Sequence, residues 1–170
     1  MGTWNDTDAP IAYLITFRTY GTWLHGDVRG AIDKRHNHYR GPRADSNIII
    51  EQQNAMVLKS EPFEMNAVAR QSVDAAIREV CEFRNWKIYA GHVGMNHVHA
   101  VTSAHASSDK VLLDLKAYST RRLRSEALWT FDHSPWVDKG SKRKLWNEDH
   151  IYHACEYVIN GQGGDLPIFD

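Results

Sequence analysis

In the segment Asn96-His97-Val98-His99-Ala100-Val101, two histidines stand two positions apart. On a β-strand, residues i and i+2 share a face, so both imidazoles would project together while Val98 and Ala100 turn toward a core. Two imidazoles on one face can take adjacent positions on a metal ion and leave other positions for substrate oxygens. The same spacing equally suits two surface histidines on an ordinary strand. A second pair, His36 and His38, lies in a polar stretch without strand character and reads as solvated loop, with His25, Asp27 and Asp33 nearby in the chain.

A metal beside two histidines becomes chemically useful if a nucleophile lies within reach, and two downstream tyrosines qualify. Tyr118 follows Leu115 by three residues and Val111 by seven, along the apolar stripe of a helix, where a core role is the simpler reading. Tyr157 belongs to a segment whose stripe is Ile151, Ala154, Cys155 and Val158. At 100° per residue it falls about 60° to one side of Ala154, at the stripe's edge. Such a ring can rest on a sheet and still present its hydroxyl to a cleft, or simply pack at the core margin.

The elements that must hold these residues are legible from their periods. Ile11 to Thr19 (IAYLITFRT) alternates and is rich in aromatic and β-branched residues, which predicts a strand. Glu64 to Arg84 carries Val68, Val73, Ala76, Ile77, Val80 and Cys81 at close to helical spacing. Strands over Trp86 to Val93 and His97 to Ser103 flank Gly94-Met95-Asn96, enough for a tight hairpin. A second helix runs from about Asp109 to Leu128 behind a serine cap, a short strand lies near Lys144 to Trp146, and Asn147 caps a last helix, Glu148 to about Asn160. The order predicts an α+β fold: a ferredoxin-like split βαβ sandwich, its antiparallel sheet carrying the helices on one face. All 170 residues read as one domain with a long loop insertion at about 21–60, rich in Gly, Asp, Arg and His.

Composition narrows the class. Apolar residues make up 42% and charged residues 24%, as in an ordinary globular domain. No apolar run nears the roughly 20 residues of a membrane span, the first ten residues lack a signal peptide's pattern, and Cys81 and Cys155 are the only cysteines. A cytoplasmic protein without a disulfide framework is expected. The net charge of −1 argues against coating nucleic acid by bulk charge, but it is unevenly spread. Lys110 to Asn147 holds nine Lys/Arg against four Asp/Glu, and the remainder eleven against seventeen. Arg121, Arg122, Arg124, Lys142, Arg143 and Lys144 are therefore candidate DNA-contacting residues, with Trp129, Trp136 and Trp146 interleaved as candidate base-stacking rings. Arg35, Arg40 and Arg43 could add phosphate contacts. A solvated charged face over core tryptophans is the alternative.

HVH on a strand, LKAYSTRRL on the next helix, a basic turn before LW, and EYVINGQG on the last helix together resemble the single-tyrosine HUH transposases, with the REP-associated tyrosine transposases as the nearest group. The segment TFRTYGTWLHGDVRG is similar to one in some bacterial members, and the resemblance runs from about Tyr13 to Gly164. It implies an enzyme that cuts and rejoins single-stranded DNA next to hairpins, in a bacterial cytoplasm and in association with the nucleoid. His97 and His99 match the family's metal ligands for Mg²⁺ or Mn²⁺, and Tyr157 matches its nucleophile, which would form a 5′-phosphotyrosine intermediate. A homodimer is implied as well.

One position departs from that pattern. The family commonly places an amide ligand four residues after the tyrosine, where this chain has Gly161 flanked by Asn160 and Gln162. Gln162 is the preferred third ligand, since glycines on either side can release the helix and let it swing. The departure also admits a domesticated hairpin-DNA-binding protein without cleavage. A metal-dependent phosphodiesterase that uses water is a third possibility.

Overall fold

The computed structural model describes residues 9–22 and 58–161. Most of the expected 21–60 insertion, with His25, His36, His38 and the three loop arginines, lies outside them, as does Gln162. Among the described residues four strands and three helices follow in the order β1 (Ala12–Arg18), α1 (Ala67–Phe83), β2 (Ile88–Val93), β3 (His97–Thr102), α2 (Ser108–Ser125), β4 (Ser141–Leu145) and α3 (Glu148–Asn160). The strands form one sheet in the order β2-β3-β1-β4, every neighbouring pair antiparallel. Inserting β3 between β1 and β2 is the split βαβ, ferredoxin-like order that the sequence predicts.

Each helix starts at a side-chain cap. Asn66, Ser107 and Asn147 hold extended backbone, and their side chains accept from the N–H groups of Ala69, Lys110 and His150. Asn66 explains why α1 begins later than Glu64. Between β2 and β3 the Gly94 N–H donates to the His97 carbonyl at 2.8 Å, so only Met95 and Asn96 project as the hairpin tip.

Side-chain alternation along β1 divides two cores. Tyr13, Ile15 and Phe17 face α1 and α2, where Val73, Ile77, Val80, Val111, Leu115 and Leu123 close the larger core. Ala12 and Leu14 face the other way and join Ala90, Val101 and Leu145 beneath Ala154 and Val158 of α3. Helices on one face were expected; α1 and α2 obey, whereas α3 covers the opposite face. The reason is that the central strands are apolar on both sides near this end, and the second patch must also be removed from water. Small residues at Ala12, Ala90 and Ala154 give α3 room to approach closely.

Candidate active site

Beyond the patch under α3 the same sheet face turns polar, and register decides which residues meet there. His99 lies opposite Thr16 on β1 and opposite His92 on β2, and His97 lies opposite Arg18. On β4, Arg143 is opposite Leu14 and therefore also on this face, whereas Lys142 and Lys144 oppose Ile15 and Tyr13 and turn toward α2. The two predicted histidines thus share a face, their ring centroids 4.9 Å apart. His92 stacks on His97 at 5.7 Å. The three imidazoles grade from exposed His92, through half-buried His97, to His99 at 6% exposure.

Both rings of the pair are held by the nitrogen nearer the backbone. His99 Nδ1 lies 2.7 Å from the Thr16 hydroxyl, and His97 Nδ1 donates to Asn96 Oδ1 at 2.9 Å. Anchoring at Nδ1 directs Nε2 away from the strand, the arrangement of a metal-ligating histidine and its supporting partner. Gly94 contributes by lacking a side chain: a Cβ there would lie 2.8 Å from Cε1 of His97. Burial, followed by the charges of His97, Arg18 and His92, pushes the His99 imidazole down to about 3. It is therefore a neutral nitrogen base at any ordinary pH. Burial, then His97 and Arg70, also lowers His92.

Tyr157 reaches this face from α3. Its helix is anchored by the Asn147 cap, its first turn carries Glu148 and Asp149 at the positive end of the dipole, and His150 Nδ1 accepts from the Trp146 N–H at 3.1 Å. Ala154 and Val158 bury the stripe, leaving Tyr157 at its edge with the ring edge-on to His99 at 5.5 Å. Tyr118 lies on the opposite side of the sheet, against Phe83 and beneath the Arg121 guanidinium. The structure brings one of the two tyrosines to the histidines. One turn after Tyr157 the helix ends at Gly161, whose N–H donates to the Tyr157 carbonyl at 3.0 Å. That position offers no side chain.

The basic residues scatter. Arg122 pairs with Glu79 and Glu126, Arg124 donates to the carbonyls of Phe131, Asp132 and His133, and Lys142 pairs with Asp109. Lys144 is exposed. Two tryptophans proposed for stacking are core residues instead. Trp129 packs on Phe63, and Trp136 meets Phe17 edge-on at 4.8 Å, with indole N–H groups donating to His133 O and Thr120 Oγ1. Trp146, 45% exposed, is the one of the three that presents its ring to solvent. Arg18, Thr16, Asn96 and His92 escaped sequence reasoning; the alternation of β1 was the available signal for Thr16 and Arg18, but not its register against β3.

Two imidazoles with Nε2 directed off the strand suit a divalent ion that takes its remaining ligands from substrate and water. Among the described residues no group of three or more His, Cys, Asp or Glu side chains is arranged to hold a metal alone. Comparisons with known proteins give the family and agree with the fold. The family of IS200-like transposases matches residues 53–158, well over half of the chain. The chain belongs to that family. A crystal structure of a Deinococcus radiodurans protein described as a transposase is similar in fold, with 14% identity over 94% of this chain and 97% of that one, at a TM-score of 0.50. A REP-associated tyrosine transposase bound to a REP hairpin is 13% identical over 93% of this chain and 70% of the other, at a TM-score of 0.47. No curated protein sequence matches. Among the described residues no helix is long and apolar enough to cross a membrane.

Proposed function

We propose that this transposase cuts and rejoins single-stranded DNA beside hairpins, with Tyr157 as nucleophile and His97 and His99 as ligands for Mn²⁺ or Mg²⁺. The observation that carries the reading is the edge-on contact of the Tyr157 ring with His99, which brings the tyrosine to an imidazole pair anchored through Thr16 and Asn96. Arg18 and Arg143 on the same face supply positive charge for a phosphodiester. Gln162 remains the candidate third ligand, and Arg121, Arg122, Arg124, Lys142 and Lys144 the candidate contacts to more distant DNA. Family membership supports the transposase role, and imidazole donors favour Mn²⁺ over the harder Mg²⁺.

Tyr157, on losing its proton, attacks phosphorus. A bond from its oxygen to phosphorus forms as the bond to the 3′ oxygen breaks, and that oxygen takes up a proton and leaves as a hydroxyl. The 5′ end stays on the protein as a phosphotyrosine ester, which preserves the bond energy for rejoining without ATP. A bound divalent ion would polarise the phosphate and offset its developing charge. His97 and His99 hold their rings in place through Asn96 and Thr16, and α3 orients the attacking oxygen. Tyr157 already borders His99 within one chain, which supports an active site built in cis; a homodimer remains part of the proposal, as does association with the nucleoid.

The test is incubation with labelled hairpin DNA bearing single-stranded flanks, with Mn²⁺ or Mg²⁺, followed by denaturing electrophoresis. A protein–DNA adduct that disappears in Tyr157→Phe and persists in Tyr118→Phe is expected. Cleavage surviving Tyr157→Phe would replace the tyrosine by water. The bare Gly161 position favours a second reading, a protein that grips hairpins without cutting, and binding without any adduct would establish it.

A further inference from the structure

At the end of β1 the chain leaves the histidine face and enters a group of rings that the cleavage chemistry does not use. Tyr20 stands two residues beyond Arg18, which is opposite His97. Its ring lies 4.3 Å from His133. His133 in turn stacks on Phe131 at 5.6 Å and 21°, and Trp129 supports both from below at 4.9 and 5.1 Å. Phe131 is 48% exposed. With Lys59, Asp132 and His133 it lines an open depression at the surface.

An exposed ring of this kind is usually mobile, but here the backbone is tied down. The Arg124 guanidinium donates to three successive carbonyls, those of Phe131, Asp132 and His133, at 3.0 to 3.3 Å. The Trp129 indole donates to the His133 carbonyl at 2.8 Å. His133 itself is fixed at both nitrogens, Nδ1 donating to Ser134 O and Nε2 facing the Ser60 hydroxyl at 3.1 Å. The group is also joined to the hairpin that carries the histidines. Thr19 N–H donates to Asn96 O, Phe63 N–H to Tyr20 O, and Met65 N–H to Met95 O, at 2.7 to 3.0 Å.

The geometry points to a base-stacking subsite: Phe131, backed by His133, receives an unpaired nucleobase of the DNA strand flanking the cleaved phosphate. A rigid exposed ring in a solvent-facing depression offers a π-face at little entropic cost. Lys59 supplies a cation for the adjoining phosphate. The Thr19–Asn96 hydrogen bond ties the ring group to the end of the histidine hairpin, so a single strand running from the cleaved phosphate past that end of the sheet would meet it. The inference rests on the proposed single-strand chemistry and assigns part of that strand a place.

Fluorescence anisotropy with labelled oligothymidylate of about 20 nucleotides, and with an abasic strand of equal length, tests it on the full chain. Stacking contributes roughly 1–3 kcal/mol per base, so Phe131→Ala should weaken oligothymidylate binding about five- to a hundredfold. Phe131→Tyr should bind as the wild type does, and the abasic strand should bind weakly and be insensitive to either change. Circular dichroism melting of Phe131→Ala checks its fold. Should that variant be unfolded, the Phe131→Tyr affinity and the abasic comparison decide instead, and equal wild-type binding of the two strands overturns the subsite. Unchanged oligothymidylate affinity in a folded Phe131→Ala overturns it too, even where the wild type still forms its Tyr157 adduct. A wild type that neither binds nor cuts single strands removes both the proposed function and the subsite.

Discussion

The Thr16 hydroxyl lies 2.7 Å from Nδ1 of His99, across the β1–β3 pairing. Removing a partner of this kind typically costs a ligating histidine 10- to 100-fold in metal affinity. Thr16→Val should therefore weaken Mn²⁺ binding by about that factor, read by calorimetric titration, and Thr16→Ser should restore it. Equal affinity in all three proteins would mean that His99 is not a ligand.

Gly94 makes a steric prediction. A methyl group at this position would meet the His97 ring, so Gly94→Ala must displace it. Adduct formation should fall on the order of 10²-fold, as for a misplacement of about 1 Å near reacting groups. The melting temperature should change little, because the ring can yield toward solvent. A large loss of stability without a specific loss of adduct would contradict the positioning role.

His99 makes a prediction for pH. Its folded value, about 3, lies below the ordinary 6.5, so the fold favours the neutral ring. The associated stability is fully present above about pH 6.5 and is lost as pH falls toward 3, at roughly 1.4 kcal/mol per unit. Denaturant midpoints measured in chelator should decline more steeply between pH 6 and 4 in the wild type than in His99→Gln. Parallel declines would show that His99 protonates freely in the fold.

The tryptophans divide by burial. Trp136→Ala should destabilise the protein by about 3–5 kcal/mol through loss of its contacts with Phe17. Trp146→Ala, at an exposed ring, should stay within about 0.5 kcal/mol of the wild type. Denaturant unfolding measures both.

Arg143 and Arg122 should also differ. Arg143 shares the histidine face, whereas Arg122 stands on α2, across the sheet from it. Arg143→Ala is expected to lower the salt dependence of DNA binding by about one unit of slope, and Arg122→Ala by less. Titrations at several salt concentrations distinguish them.

What could be read in advance followed short-range rules. The shared face of His97 and His99 comes from a two-residue period, and the starts of α2 and α3 from the caps at Ser107 and Asn147. What escaped depends on distant partners. No local pattern says that Thr16 meets His99 or that His92 stacks on His97, because strand register is fixed by the hairpin and by packing. Trp129 and Trp136 stand among cations in sequence, yet their N–H groups find acceptors at His133 and Thr120, and this makes them core residues. The second apolar patch under α3 was spread over Ala12, Leu14, Ala90, Val101 and Leu145, too dispersed to appear as a stripe.

The position of β4 at the end of the sheet has a consequence unrelated to DNA. An edge strand exposes unpaired backbone groups, a template for joining another chain, and flanking charges deter such pairing. Among the described residues β4 is an edge, and its five residues are Ser-Lys-Arg-Lys-Leu. Lys142, Arg143 and Lys144 thus discourage strand-to-strand pairing of β4 with another chain. A triple neutral variant would precipitate as the concentration rises, and its loss of DNA binding would reflect aggregation as much as lost phosphate contacts.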